Sequence, residues 1–149
     1  MIISLCKVLK INKLHIRRKH KLDTSYFTPY YITFHDESKN IVLEYQKSDF
    51  FCLPSLYEGY PNVVVEAMCC ELPILCSNLF ENPYIVKEGE NGFLFDPNDA
   101  SDIANCIIKM INLSKTEQKM IGYKNRMDCI ARNTKKKFTD SYIKLIENE

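Results

Sequence analysis

The stretch from residue 49 to residue 70 constrains this chain more than any other. Asp49-Phe50-Phe51-Cys52-Leu53 is a compact apolar run closed by Pro54, the pattern of a strand buried on both faces of a parallel sheet. Helix-forming residues resume at Asn62 and run to Cys70, with Pro61 suited to the first helical turn. A strand, a turn and a helix in that order set the helix N-terminus beside the carboxyl end of the strand. Open α/β sheets bind ligands at that end. Two carboxylates bracket the turn: Glu58 and Glu66, with seven residues between them, in Ser55-Leu56-Tyr57-Glu58-Gly59-Tyr60-Pro61-Asn62-Val63-Val64-Val65-Glu66-Ala67-Met68.

The helix N-terminus offers free N–H groups and partial positive charge, which suit a phosphate. Two carboxylates alone would repel that phosphate. They make sense if the rest of the ligand carries hydroxyls, because an ionised carboxylate only accepts hydrogen bonds. A phosphate flanked by hydroxyl-bearing rings describes a sugar nucleotide. A carboxylate pair also fits a glycoside hydrolase, one acid and one nucleophile across a sugar. The helix N-terminus between the pair favours the phosphate ligand and makes hydrolysis the weaker reading.

The rest of the chain reads as alternating strands and helices. Tyr31-Ile32-Thr33-Phe34 is β-branched and aromatic, so it predicts a short strand. Ser38 or Asn40 is placed to cap a short helix through Lys47. Residues 73–76 predict the next strand, a loop with Pro83 and Gly89 follows, and residues 92–95 predict another strand. Asp99 is placed to cap an amphipathic helix whose buried face holds Ala100, Ile103, Ala104, Ile107, Ile108 and Ile111. Two more helices are expected over residues 114–131 and 137–146, with a solvated turn at 135–137. Residues 1–16 mix apolar residues with lysines and read as a helix, followed by a basic cluster at 17–21. The fold class expected is α/β, a Rossmann-like parallel sheet flanked by helices, with helices at its C-terminal end.

Composition excludes several classes. A chain of 149 residues, 46% hydrophobic and 26% charged, fits one ordinary globular domain. A net charge of +1 gives no general attraction to nucleic acid. Its seven cysteines form no C-x-x-C pair, and no histidine stands at zinc-ligand spacing. Cys69 and Cys70 are neighbours within one helix, so the cysteines read as reduced thiols acting as small apolar side chains, and no metal is expected. No run reaches the length of a membrane span. The segment from Met1 to Ile11 holds Lys7 and Lys10 and lacks a cleavage-like site, so a signal peptide is not expected.

These residues resemble the signature of the retaining, sugar-nucleotide-dependent glycosyltransferases of the two-Rossmann-domain type (group 1, family 4). The family has a glutamate, seven residues, then Glu-Ala-Met, after a strand ending in Pro-Ser. It continues with a Leu-Pro strand, an Asn-Gly-Phe-Leu segment and an Asp-Pro before an amphipathic helix. The counterparts here are Glu66-Ala67-Met68, Leu72-Pro73-Ile74-Leu75, Asn91-Gly92-Phe93-Leu94 and Asp96-Pro97. The resemblance implies that Glu58 is catalytic, supporting the cationic transition state at the transferred sugar, and that Glu66 holds the ribose. It further implies that Gly59, Tyr60, Pro61, Asn62 and Val63 form the turn under the diphosphate. Gly59 would permit close backbone approach, the Asn62 and Val63 amides would donate, and Pro61 cannot. His35, Asp36 and Glu37 fall near the family's base-recognition region, although His35 stands where glycine is usual.

Departures from the family shape the expectation. The resemblance implies that residues 31–149 are the C-terminal donor-binding domain, truncated at its start, while residues 1–30 match poorly. The family's Gly-Arg turn and following lysine, which neutralise the leaving diphosphate, are not recognisable, and Arg17, Arg18, Lys19 and Lys21 do not reproduce their spacing. Glu71 replaces a helix-ending glycine, which predicts a remodelled or slightly strained helix end. Tyr84 stands where an acid is frequent. The expected function is transfer of a glycosyl group from a nucleoside-diphosphate sugar to a sugar or lipid-linked acceptor, without cofactor or metal. The isolated chain is expected to be inactive or nearly so and to self-associate. The alternatives are a nucleotide-sugar-binding module that needs an acceptor-domain chain, and a degenerate fragment. Family members often act at the inner face of a bacterial membrane, so the resemblance implies a cytoplasmic location compatible with peripheral membrane contact.

Overall fold

The structure, a computed structural model, describes residues 14–17, 32–35 and 40–132. Strands β1 (Leu14–Arg17) and β2 (Ile32–His35) pair in parallel, Leu14 opposite Ile32 and Arg17 opposite His35. β3 (Phe51–Leu53), β4 (Ile74–Ser77) and β5 (Gly92–Phe95) form a parallel sheet in that order, with Phe51 opposite Ile74 and Ile74 opposite Gly92. The helices are α1 (Ile41–Gln46), α2 (Asn62–Cys69), α3 (Asn82–Ile85), α4 (Ala100–Asn112) and α5 (Lys115–Arg132).

The alternation of a strand explains how β4 serves two cores. Ile74 and Cys76 enter a cluster with Tyr45, Val64, Ala67, Met68, Leu72, Val86 and Cys129, so α1, α2 and α5 cover that side. Leu75 points the other way, into Phe95, Ile103, Cys106, Ile107 and Met110, so α4 covers the opposite side. Apolar burial on both faces is why the strand sequences read as continuous rather than alternating. The expected Rossmann-like α/β architecture is therefore present, helices on both faces of a parallel sheet.

Helix ends follow side-chain chemistry. Asn40 caps α1 by accepting from the Leu43 N–H at 3.4 Å. The Asp99 carboxylate accepts from the Ser101 and Asp102 amides at 2.8 and 3.3 Å, as its sequence position predicts. At α5, Ser114 and Glu117 form a capping box: the Glu117 amide donates to Ser114 Oγ, and the Ser114 amide and hydroxyl both donate to the Glu117 carboxylate. Those bonds hold the Glu117 carboxyl below its ordinary range. Gln118 donates to the carbonyls of Met110 and Leu113, which closes the end of α4 against α5.

Several expectations change. Residues 14–16, expected to end a helix, instead form a strand together with Arg17, because pairing with β2 supplies the backbone bonds; residues 1–13 lie outside the described set. So do the expected helix over 137–146, the turn at 135–137, Asp36 and Glu37. The loop after β4 contains the short helix α3, with Pro83 in its first turn. The buried face of α4 is Ile103, Cys106, Ile107 and Met110, whereas Ile111 is exposed. Cys106 and Met110 fill the stripe that the isoleucines suggested. The cysteines are not all thiols: Cys69 on α2 is joined to Cys129 on α5, 60 residues later. Adjacency to Cys70 did not prevent this, since the partner lies on another helix.

The end of α2 is the tightest junction. Glu71 adopts φ 63°, the left-handed conformation that glycine favours. Its amide donates to Met68 at 3.0 Å and the Leu72 amide to Ala67 at 3.2 Å, the two bonds of a Schellman motif. The expected strain is thus present without remodelling, and Arg126 lies 3.6 Å from the Glu71 carboxylate. Gly122 of α5 packs directly on the Glu71 backbone, leaving no room for a Cβ. One turn on, the wholly buried Asn125 donates to the carbonyls of Leu72 and Asn91 at 2.8 and 2.9 Å.

Replacing Asn125 with leucine strands two buried carbonyls and should lower stability by about 2–4 kcal/mol in urea unfolding. Glu71→Gly should raise it by about 1 kcal/mol by relieving the left-handed residue. Gly122→Ala should lower it by about 1–3 kcal/mol through overpacking; a gain, as for an open helical glycine, would contradict the junction described. Non-reducing peptide mapping should recover a Cys69–Cys129 crosslinked pair, and Cys129→Ser should cost about 2–4 kcal/mol.

Candidate functional site

The carboxyl ends of β3 and β4 and the N-terminus of α2 meet around Glu58 and Glu66. β3 ends before Pro54, and the chain turns through residues 55–60 before Pro61 opens α2. Pro61 is buried and acts as the N-cap without a side-chain bond; its carbonyl accepts from Val64 and Val65 at 3.0 and 3.4 Å. The Asn62 amide already donates to the Tyr60 carbonyl at 2.9 Å. The Val63 amide makes no such bond among the described residues and is the open donor of the two. A Cβ built at Gly59 meets nothing within 4 Å, so the turn is uncovered there.

Each glutamate is held by one hydroxyl. Ser55 Oγ donates to Glu58 Oε1 at 2.6 Å, a short bond within the turn. Tyr45, buried on α1 with its ring edge-on to Phe51, donates to Glu66 Oε2 at 3.4 Å. Val64, Ala67 and Met68 turn α2's other face into the core, which leaves Glu66 on the exposed flank one turn from the N-terminus. Neither carboxylate joins the ion pairs of the described residues, which are Lys109–Glu88, Lys115–Asp49, Lys124–Glu90 and Arg126–Glu71. Both remain acceptors, the role that a polyhydroxyl ligand requires.

The loop after β4 forms the neighbouring rim. The Asn78 amide donates to the Phe95 carbonyl at 2.7 Å, and the Asn82 side-chain amide donates to Ser77 O and Oγ at 2.9 and 3.1 Å. Phe80 between them has φ 53°. Burial pushes the nearby Cys52 and Cys76 thiols up to about 12, which disfavours their thiolate forms. Among the described residues no group of three His, Cys, Asp or Glu side chains gathers to hold a metal ion.

The structure therefore brings Glu58, Gly59, Tyr60, Pro61, Asn62, Val63 and Glu66 into one turn and helix start. His35 ends β2, and the basic residues at 18–21 lie outside the described set. Sequence reasoning missed Ser55 and Tyr45. Ser55, three residues before Glu58, was open to local inspection; Tyr45 was not, since only packing of α1 brings it to Glu66.

Comparison with known proteins places the fold and the family. A 63-residue stretch is 40% identical to the Escherichia coli UDP-Gal:alpha-D-GlcNAc-diphosphoundecaprenol alpha-1,3-galactosyltransferase, covering 42% of this chain and 16% of that one. The fold matches Staphylococcus aureus TarM with a TM-score of 0.83 at 17% identity, over 97% of this chain and 31% of TarM. It also matches Anabaena HepE, solved in complex with UDP and glucose, with a TM-score of 0.72 at 20% identity, over 81% and 33% of the two chains. The chain thus spans a third or less of each of these relatives. The family described as "Glycosyl transferases group 1" matches residues 18–127. With that match over most of its length, the chain belongs to the group 1 glycosyltransferases.

Proposed function

We propose that this chain binds a nucleoside-diphosphate sugar and serves as the donor-binding part of a retaining glycosyltransferase. The observation that carries the reading is the pair of hydroxyl-held carboxylates flanking the open start of α2. Glu66 accepts from the ribose hydroxyls, and the hydrogen bond from Tyr45 orients it. The diphosphate lies over residues 59–63 and takes the Val63 amide; the Asn62 amide joins only by releasing Tyr60. The α2 dipole adds roughly half a positive charge at this end.

Glu58 faces the transferred sugar. As the bond from the anomeric carbon to the diphosphate oxygen breaks, positive charge grows on the ring, and a preorganised carboxylate stabilises it. Ser55 fixes one oxygen of Glu58 and leaves the other for the sugar. The leaving diphosphate carries about two negative charges, more than a helix end can neutralise. No lysine or arginine among the described residues pairs within this site, which favours a second contributor of positive charge: the residues outside the described set, or an acceptor-domain chain. The acceptor is a sugar or a lipid-linked molecule, no cofactor or metal takes part, and the setting is cytoplasmic and compatible with peripheral membrane contact.

Calorimetric titration with UDP, GDP, ADP and their sugar conjugates tests the reading. One nucleotide should bind, and Glu66→Ala should weaken it by about tenfold or more, the loss of charge-assisted bonds to the ribose. Glu58→Gln should leave the affinity for the bare nucleotide within about twofold and lower transfer, measured with a complementing acceptor domain, by about a hundredfold or more. Nucleotide binding that is indifferent to Glu66→Ala would place the ligand elsewhere.

A further inference from the structure

Tyr57 and Phe80 form an exposed aromatic pair that joins the turn after β3 to the loop after β4. Tyr57 is 79% exposed and Phe80 50% exposed, yet their rings meet edge to face with centroids 5.1 Å apart. Tyr57 immediately precedes Glu58, and Phe80 stands on the adjoining loop after β4. Neither ring belongs to either core cluster. Phe80 also holds the left-handed φ of 53°, which costs a side-chain-bearing residue on the order of 1 kcal/mol. The Phe80 ring stands outside both core clusters, so apolar burial does not explain the strained backbone. Its geometry persists because Asn78 and Asn82 pin the loop on both sides, and strain held by its surroundings points toward function.

The chemistry beside the pair narrows the ligand. Aromatic faces take C–H surface, and the neighbouring Glu58 carboxylate takes O–H donors. One compact molecule offering both is a carbohydrate ring; an acyl or isoprenoid chain offers no hydroxyl for Glu58, and a nucleobase no set of hydroxyls. We infer that Tyr57 and Phe80 form a platform that seats a carbohydrate ring against Glu58 and so helps to determine which sugar is used. The inference rests on the donor-site reading above. The ring is either that of the donor or that of the acceptor, since the two share their chemistry.

The test compares the wild-type chain with Tyr57→Ala and Phe80→Gly. Titrations use UDP, GDP and ADP, their glucose conjugates, and the methyl glycosides of glucose, mannose and galactose with the bound nucleotide present. Both variants should keep the bare nucleotide's affinity and lose about tenfold for a sugar ring. A loss confined to the glucose conjugate assigns the donor ring, and a loss confined to a methyl glycoside assigns the acceptor ring. Phe80→Gly should hold or raise the melting temperature, because glycine accepts the φ without strain. Unchanged sugar affinity in both variants would overturn the platform while leaving the donor site intact. A lowered melting temperature for Phe80→Gly would overturn it as well, by making the ring a structural one. If no nucleotide binds the wild type, the donor-site reading fails, and the methyl glycosides alone decide the platform: binding lost in both variants supports it, and its absence or persistence overturns it.

Discussion

The carboxamide of Asn125 holds together chain segments that are far apart in sequence. Its two donors reach the carbonyl that follows α2 and the carbonyl that precedes β5, so one buried side chain on α5 sets the distance between them. Buried carbonyls tolerate no vacancy cheaply, which makes this contact directional where the apolar core is not. Around it, Gly122 lets α5 settle on the Glu71 backbone, and the Cys69–Cys129 bridge joins the same two helices. The position of α2 follows, and with it everything at the N-terminal end of that helix.

That rigidity matters because the site is assembled from short pieces. β3 is three residues long and α2 eight, so neither element orients a carboxylate by its own stiffness. The hydroxyls of Ser55 and Tyr45 complete the orientation, one from within the turn and one from α1. A carboxylate that spends one oxygen on a protein hydroxyl presents the other in a defined direction. The same logic extends to the rim, where Asn78 and Asn82 hold Phe80 in a conformation that its own chemistry disfavours. Order at this edge comes from polar bonds placed around strained or exposed residues, while the apolar clusters lie within the layers behind it.

How much of this was legible varies with the range of the interaction. Residues 92–95, the Asp99 cap and the start of α2 were readable because each depends on neighbours within one turn of chain. Glu71 was readable as a strained helix end for the same reason, although the structure accepts the strain instead of remodelling around it. The helical reading of residues 14–16 failed because a short apolar run carries no record of its pairing partner, here β2. The α4 stripe was rotated slightly, since Cys106 and Met110 pack as well as isoleucine against Leu75 and Phe95. The disulfide was missed for a related reason: spacing along a chain says nothing about which helices lie side by side.

The sequence by itself determined the strand–turn–helix unit, the glutamate pair at its mouth and the family to which the chain belongs. These features are local, and local stereochemistry writes them into consecutive residues. Only the tertiary structure decided that Tyr45 reaches Glu66, that Cys69 meets Cys129, that Asn125 ties three segments together and that Tyr57 touches Phe80. Those contacts join residues 21 to 60 positions apart. They arise when apolar faces on both sides of the sheet are buried at once, a condition on the whole chain that no window of the sequence contains.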